Sequence, residues 1–167
     1  MLIIIVLAVF SGYALALPYP APAGGPGHFS QGIPVYWPYH AMFMTIGFIV
    51  LITGVLIARF HKTGNWYKKH MIIEIAGVTC IMIGLFIGVF MVMLSGLPHL
   101  LNIHEMLGVA TGSLLILVAA LGYSIKRVHE SKKIVRSGHR WLGRISLALL
   151  VINIGLGLLF LSILLRR

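Results

Sequence analysis

Four long apolar runs dominate the chain: Pro38 to Arg59, Trp66 to Leu94, Pro98 to Ser124 and Gly138 to Leu165. An α-helix needs about 20 apolar residues to cross the hydrocarbon core of a bilayer, so each run predicts a membrane-spanning helix. Pro38 and Pro98 suit a first helical turn, where a missing N–H costs nothing, and Gly96 suits a helix C-terminus. The short connection from Ser95 to Pro98 makes the helices on either side of it antiparallel neighbours. The expected fold class is an all-α membrane protein with one domain over residues 35–167, a four-helix transmembrane bundle. Before it, Met1 to Ala16 is a short apolar segment ending in Ala-Leu-Ala that reads as a signal peptide or, uncleaved, as an anchor. The Pro/Gly-rich segment 17–34 is then expected outside the membrane, without regular structure.

Composition agrees with lipid as the solvent: 59% of the residues are hydrophobic and 10% charged, with a mean hydropathy of +1.01. That is far from a soluble domain, and 167 residues leave no room for a separate catalytic domain beside four spans. The formal charge of +10 does not point to nucleic acid, because the basic residues flank apolar spans instead of sharing a polar face with aromatics. Eleven of the thirteen Lys and Arg residues cluster at the first and third connections, so those connections are expected in the cytoplasm. Trp37, Trp66 and Trp141 sit near span ends, as interfacial aromatics do. The single cysteine, Cys80, offers neither a disulfide nor a Cys-x-x-Cys-His site for covalent haem attachment.

Four of the eight histidines occupy corresponding places, one near the N-terminal end of each span: His40, His70, His104 and His139. In an antiparallel bundle the first and third helices run the same way. His40 and His104 therefore share a depth near the outer surface, and His70 and His139 share one near the inner surface. Hydrocarbon about 30 Å thick, less shallow burial at each end, puts the two levels roughly 20 Å apart. Two imidazoles on facing helices can bind one iron from opposite faces of a porphyrin, given room for the ring. Gly47 and Gly54 follow His40 at seven-residue steps, and Gly77 and Gly84 follow His70 likewise, returning to nearly the same helix face. Gly108 and Gly112 follow His104, and Gly143 follows His139, at four-residue spacing.

Small residues in membrane helices most often serve close packing, and a lone membrane histidine is more often a hydrogen-bonding residue than a ligand. Four in register, each opening a Gly-lined face, favour ligation. Imidazole also suits zinc or copper, but these four residues split between two levels, and no nearby Asp, Cys or second His completes a four-ligand shell at either one. Two axial imidazoles saturate haem iron, so the expected chemistry is one-electron transfer.

The stretches YHAMFMTIGFIVLITGVLIARF from Tyr39, WYKKH at His70, HEMLGVATG from His104 and HRWLGRISLALLVINIGLGL from His139 resemble the cytochrome b561 family across the four-helix core. The resemblance implies two noncovalent b-type haems, His40 paired with His104 and His70 with His139. It also implies transmembrane electron transfer, with ascorbate a common cytoplasmic donor among eukaryotic members. Six-helix members carry a further helix on each side of the core. The chain lacks the C-terminal one, so substrate sites that use those outer helices do not carry over. Arg59 matches the family's basic residue at the inner end of the first core helix and could approach an anionic donor or a haem propionate.

Lys69 and Arg140 adjoin ligands, with Lys68 and Arg144 close by, and could pair with propionates; topological charge alone is the plainer reading. Glu74 follows His70 by one turn and could orient the imidazole, pair with a cation or receive a proton. Glu105 reads as the N3 partner of Asn102 in a capping box, and Asn153 as an interhelical hydrogen-bonding residue or a haem contact. His28, His61, His99 and His129 lack the paired pattern, although His99 could meet an outer propionate. Two other functions stay open: a quinol-oxidising cytochrome b subunit anchoring a larger redox complex, and a nonredox small transporter or structural membrane subunit. Membrane lipids are the expected surroundings, and a homodimer or larger complex is compatible with the sequence.

Overall fold

The four expected spans are present in the computed structural model as α1 (Trp37–Phe60), α2 (Trp66–Ser95), α3 (Ile103–Ser124) and α4 (Lys132–Leu165). The structure describes residues 36–61, 64–96, 98–127 and 131–165. The expected signal or anchor segment, the Pro/Gly-rich segment, His28 and His129 lie outside the described residues. All four helices are long and apolar enough to cross a membrane. Large apolar side chains such as Ile49, Ile72, Phe86 and Leu158 point away from the bundle, where lipid is their natural solvent. Helices suit that setting because each satisfies its backbone polar groups internally.

Two helix starts differ from the apolar runs, each for a local reason. Leu100 takes a left-handed conformation (φ 63), so the chain leaving α2 turns before it can coil again, and α3 begins at Ile103 instead of Pro98. Asn102 then caps it: its side-chain oxygen accepts from the Glu105 N–H at 2.9 Å, its amide donates to Glu105 Oε1 at 2.5 Å, and Glu105 Oε2 accepts from the Leu101 N–H at 3.2 Å. That is the expected capping box with its acid reaching back. Helix α4 starts six residues ahead of the apolar run at Gly138, because the Lys- and Arg-containing stretch from Lys132 has good helix formers and no breaker before that glycine. Gly96 closes α2 in the left-handed conformation (φ 67), as expected of a C-terminal glycine.

Close approach of α1 and α2 is made by glycines facing bulky residues. A Cβ on Gly47 would stand 2.8 Å from Ile81, one on Gly77 2.8 Å from Leu51, and one on Gly84 2.9 Å from Met44. Each bulky side chain thus fills the notch of a glycine across the hairpin, the small-residue packing that membrane helices use in place of a hydrophobic driving force. The centre of the bundle holds Leu51, Ile81, Leu115 and Leu150, one from each helix, all at most 4% exposed. Each follows the histidine of its own helix by eleven residues. The four positions form an aliphatic plug between the two histidine levels, with Thr111 and Ser146 buried beside it.

Candidate functional site

The helices bring the four histidines together in two pairs. His40 of α1 meets His104 of α3 with ring centroids 6.0 Å apart and planes at 82°. His70 of α2 meets His139 of α4 at 6.3 Å and 79°. All four rings are tied to the backbone of the neighbouring helix in the same way. His40 Nδ1 donates to Gly84 O (2.8 Å), His70 Nδ1 to Gly54 O (2.9 Å), His104 Nδ1 to Asn153 O (3.1 Å) and His139 Nδ1 to Val118 O (2.9 Å). A carbonyl oxygen can only accept, so each Nδ1 carries the hydrogen and each Nε2 presents its lone pair.

The accepting carbonyls obey one rule. Gly54, Gly84, Val118 and Asn153 each lie fourteen residues beyond the histidine of their own helix. Within the α1/α2 hairpin, and again within α3/α4, each helix therefore orients its partner's imidazole while its own imidazole is oriented in return. Fourteen helical residues rise about 21 Å, which separates the two levels. Three glycines eighteen residues beyond a histidine complete the arrangement, five helical turns on and on the same face. A Cβ on Gly88 would come 3.1 Å from His40 Nδ1, one on Gly122 2.9 Å from His139 Cε1, and one on Gly157 2.9 Å from His104 Cε1. These glycines let an imidazole lie flat against a helix backbone. The fourth helix, α1, has Ala58 at the same interval.

Two imidazoles brought face to edge, each with Nδ1 held by a carbonyl and Nε2 left unbound, are what a metal-binding histidine pair requires. A family model for eukaryotic cytochrome b561 matches residues 39–159, most of the chain and all four of these histidines. The chain belongs to the cytochrome b561 family. As a cytochrome b561 it is an integral, multi-pass membrane protein that transfers electrons by means of b-type haem. No curated protein and no solved structure matches it.

The residues present in this cytochrome b561 fit haem. Metal–imidazole bonds of about 2 Å, extended by the radius of each ring, put two trans imidazoles roughly 6 Å apart between centroids, which both pairs satisfy. Among the described residues no group of three or more His, Cys, Asp or Glu is arranged to hold a metal ion, and each level brings two histidines together.

The glycines singled out by spacing occupy different places. Gly47, Gly77 and Gly84 face side chains across the α1/α2 hairpin, and Gly54 faces Glu74, whose Oε1 would be 2.5 Å from a Cβ there. Gly108 faces the Asn153 amide, Gly112 faces Leu85, and Gly143 faces Val118. Gly54 and Gly84 reach the histidines through their carbonyls. Arg59, Lys69 and Arg140 are exposed at the ends of the bundle near the His70/His139 level, Arg59 lying over the Phe60 ring. His61 is exposed beyond the end of α1, and His99 is half-buried in the connection before α3.

Gly88, Gly122 and Gly157 escape a search for glycines near each histidine, because they contact imidazoles of a different helix. The eighteen-residue interval in three of the four helices was the signal available for them. Tyr67 has no such signal. Its hydroxyl donates to Gly122 O at 3.2 Å, and the Lys126 ammonium lies 4.1 Å from the centre of its ring, so it braces the helix segment against which His139 rests.

Proposed function

We propose that this cytochrome b561 holds two noncovalent b-type haems, one between His40 and His104 and one between His70 and His139, and passes electrons across the membrane between them. The observation that carries the reading is the reciprocal lock of four imidazoles by carbonyls fourteen residues beyond a neighbouring histidine. His40 with His104, and His70 with His139, would hold the haems, which would supply one-electron iron chemistry when bound. The chain fixes the tautomer and angle of each ligand, and the plug of Leu51, Ile81, Leu115 and Leu150 keeps water from the space between the levels. The basic connections lie in the cytoplasm on this reading, so His70 and His139 form the inner site. Lys69, Arg140 and Arg59 then supply cations for haem propionates and for an anionic electron donor of the ascorbate type.

The test combines spectra with single substitutions. Purified protein should show two six-coordinate haems. His40→Ala and His104→Ala should each lose one and the same haem, and His70→Ala and His139→Ala the other. In sealed vesicles enclosing a reductant, the protein should reduce an impermeant external acceptor, and loss of either haem should slow that transfer. Intact haem in all four variants, or transfer no faster than in protein-free vesicles, would refute the reading.

A further inference from the structure

Around the two histidine levels, one residue breaks the likeness of the locks by carrying a carboxyl group. Four positions past its histidine, α1 places Met44 in the notch of Gly84, beside the carbonyl that holds His40. At the same position α2 places Glu74 in the notch of Gly54, beside the carbonyl that holds His70. The corresponding residues of α3 and α4 are Gly108 and Gly143. One carboxylate thus stands where the other three helices have an apolar or absent side chain. Its Oε1 is buried, makes no hydrogen bond, and lies 3.5 Å from His70 Nδ1. Gly54 is what admits it, since a Cβ there would overlap that same oxygen at 2.5 Å.

An acidic side chain within a membrane-spanning helix is costly and is retained for a purpose. Helix capping does not explain Glu74, which lies in the interior of α2, and among the described residues its one ion-pairing neighbour is the His70 ring. A negative group beside a coordinated imidazole makes the ligand more basic and stabilises the oxidised iron, because positive charge on the iron–imidazole unit is favoured near it. The cations at the same end do not cancel this effect: Lys69 and Arg140 are exposed, where water and salt screen them, whereas the buried Oε1 of the half-buried Glu74 faces the His70 ring at 3.5 Å.

We propose that Glu74 is a positioning residue for His70 that makes the haem at His70/His139 harder to reduce than the haem at His40/His104, so that electrons run downhill from the His70/His139 haem to the His40/His104 haem. The proposal rests on the two-haem reading above and adds a direction to it. The twofold likeness of the hairpin supplies the controls. Glu74→Met installs the side chain that already fits the equivalent notch, Glu74→Gln keeps the shape without the charge, and Met44→Glu builds the same contact beside His40.

The experiment is a potentiometric titration of full-length, haem-loaded protein followed by its absorption bands, with the two haems assigned by the variants His70→Ala and His104→Ala. In the wild type the haem lost on replacing His70 should titrate at the lower potential. Glu74→Met and Glu74→Gln should raise that potential, increasing the reduced-to-oxidised ratio at fixed ambient potential by about tenfold or more, equivalent to about 59 mV for a one-electron couple. The other haem should stay unchanged. That size is what a unit charge exerts over several ångströms at an effective dielectric constant of about 20. Met44→Glu should lower the potential of the haem lost on replacing His104. Unshifted potentials, or both haems moving together, overturn the proposal. If neither Glu74 variant retains its haem, the outcome for Met44→Glu decides alone. Retention of both haems by His70→Ala would instead refute the two-haem assignment, whatever Glu74 does.

Discussion

Gly122→Ala adds a single methyl group, yet on the proposed two-haem reading it should loosen the site at His139. The new Cβ would stand 2.9 Å from His139 Cε1, against ordinary carbon contacts of about 3.5–4.0 Å. Relief requires the ring to retreat by more than half an ångström. His139 cannot retreat freely, because its Nδ1 is held 2.9 Å from Val118 O on the same helix as Gly122, and on the two-haem reading its Nε2 would have to hold the iron. Helix α1 has Ala58 at the same interval, whereas at Gly122 the His139 ring already fills the space a methyl would need. Overpacking of this kind costs about 1–3 kcal/mol, and a cost incurred only with His139 in its ligating position weakens haem binding there by about 5- to 150-fold. Gly143→Ala is the matched control: its Cβ would rest 3.7 Å from Val118 Cγ1, an ordinary contact. The assay is the rate at which each haem leaves the purified protein for a haem-scavenging apoprotein in excess, read by absorption. Gly122→Ala should release the His70/His139 haem at least about fivefold faster, leaving the His40/His104 haem at the wild-type rate, and Gly143→Ala should match wild type. Equal release from Gly122→Ala and wild type would refute the argument that this imidazole needs a bare backbone behind it.

Gly77→Val should act on both levels at once, since its Cβ would meet Leu51 at 2.8 Å and the Leu51 backbone nitrogen at 3.1 Å; spreading α1 from α2 releases the carbonyl locks of His40 and His70 together, and purified protein should carry less of both haems in equal proportion. Sidedness is open to labelling: with Cys80 replaced by Ala, a cysteine introduced at Ser131 should be protected from an impermeant thiol reagent in intact cells and react after permeabilisation, and reaction in intact cells would invert the assignment of inner and outer levels.

Much of this site is legible in the sequence, because membrane helices leave few choices. Uniformly apolar runs give the spans, and antiparallel order puts His40 level with His104 and His70 level with His139 without any knowledge of side-chain packing. The capping box at Asn102 and Glu105 is legible for the same reason: both its partners are local. What spacing alone does not reveal is which neighbour a glycine faces. Gly47 and Gly77 share a helix face with a histidine, but the objects in front of them are Ile81 and Leu51, because the helices nearest each other are those joined in a hairpin, and glycine is needed where backbones approach. The carbonyl acceptors are hidden for a different reason. Any residue type supplies a carbonyl, so Val118 and Asn153 serve as well as Gly54 and Gly84, and no residue preference marks the position.

That indifference to side chain explains why the ligand locks can be so uniform while the sites they hold differ. A lock made from backbone leaves the residue four positions past each histidine free to vary, and asks only for a small one at eighteen. At eighteen, α1 has Ala58 where the other helices have Gly88, Gly122 and Gly157; at four, α2 has Glu74 where α1 has Met44. Both departures lie one helical turn from a partner in the His70 lock: Ala58 follows Gly54, whose carbonyl holds that ring, and Glu74 follows His70 on its own helix. The imidazole with the different environment is therefore at the end of the bundle where the basic residues gather. On the two-haem proposal, an electron carrier with two like sites gains a direction only if something makes them unlike, and in this chain the unlike residues lie within one helical turn of the His70 lock.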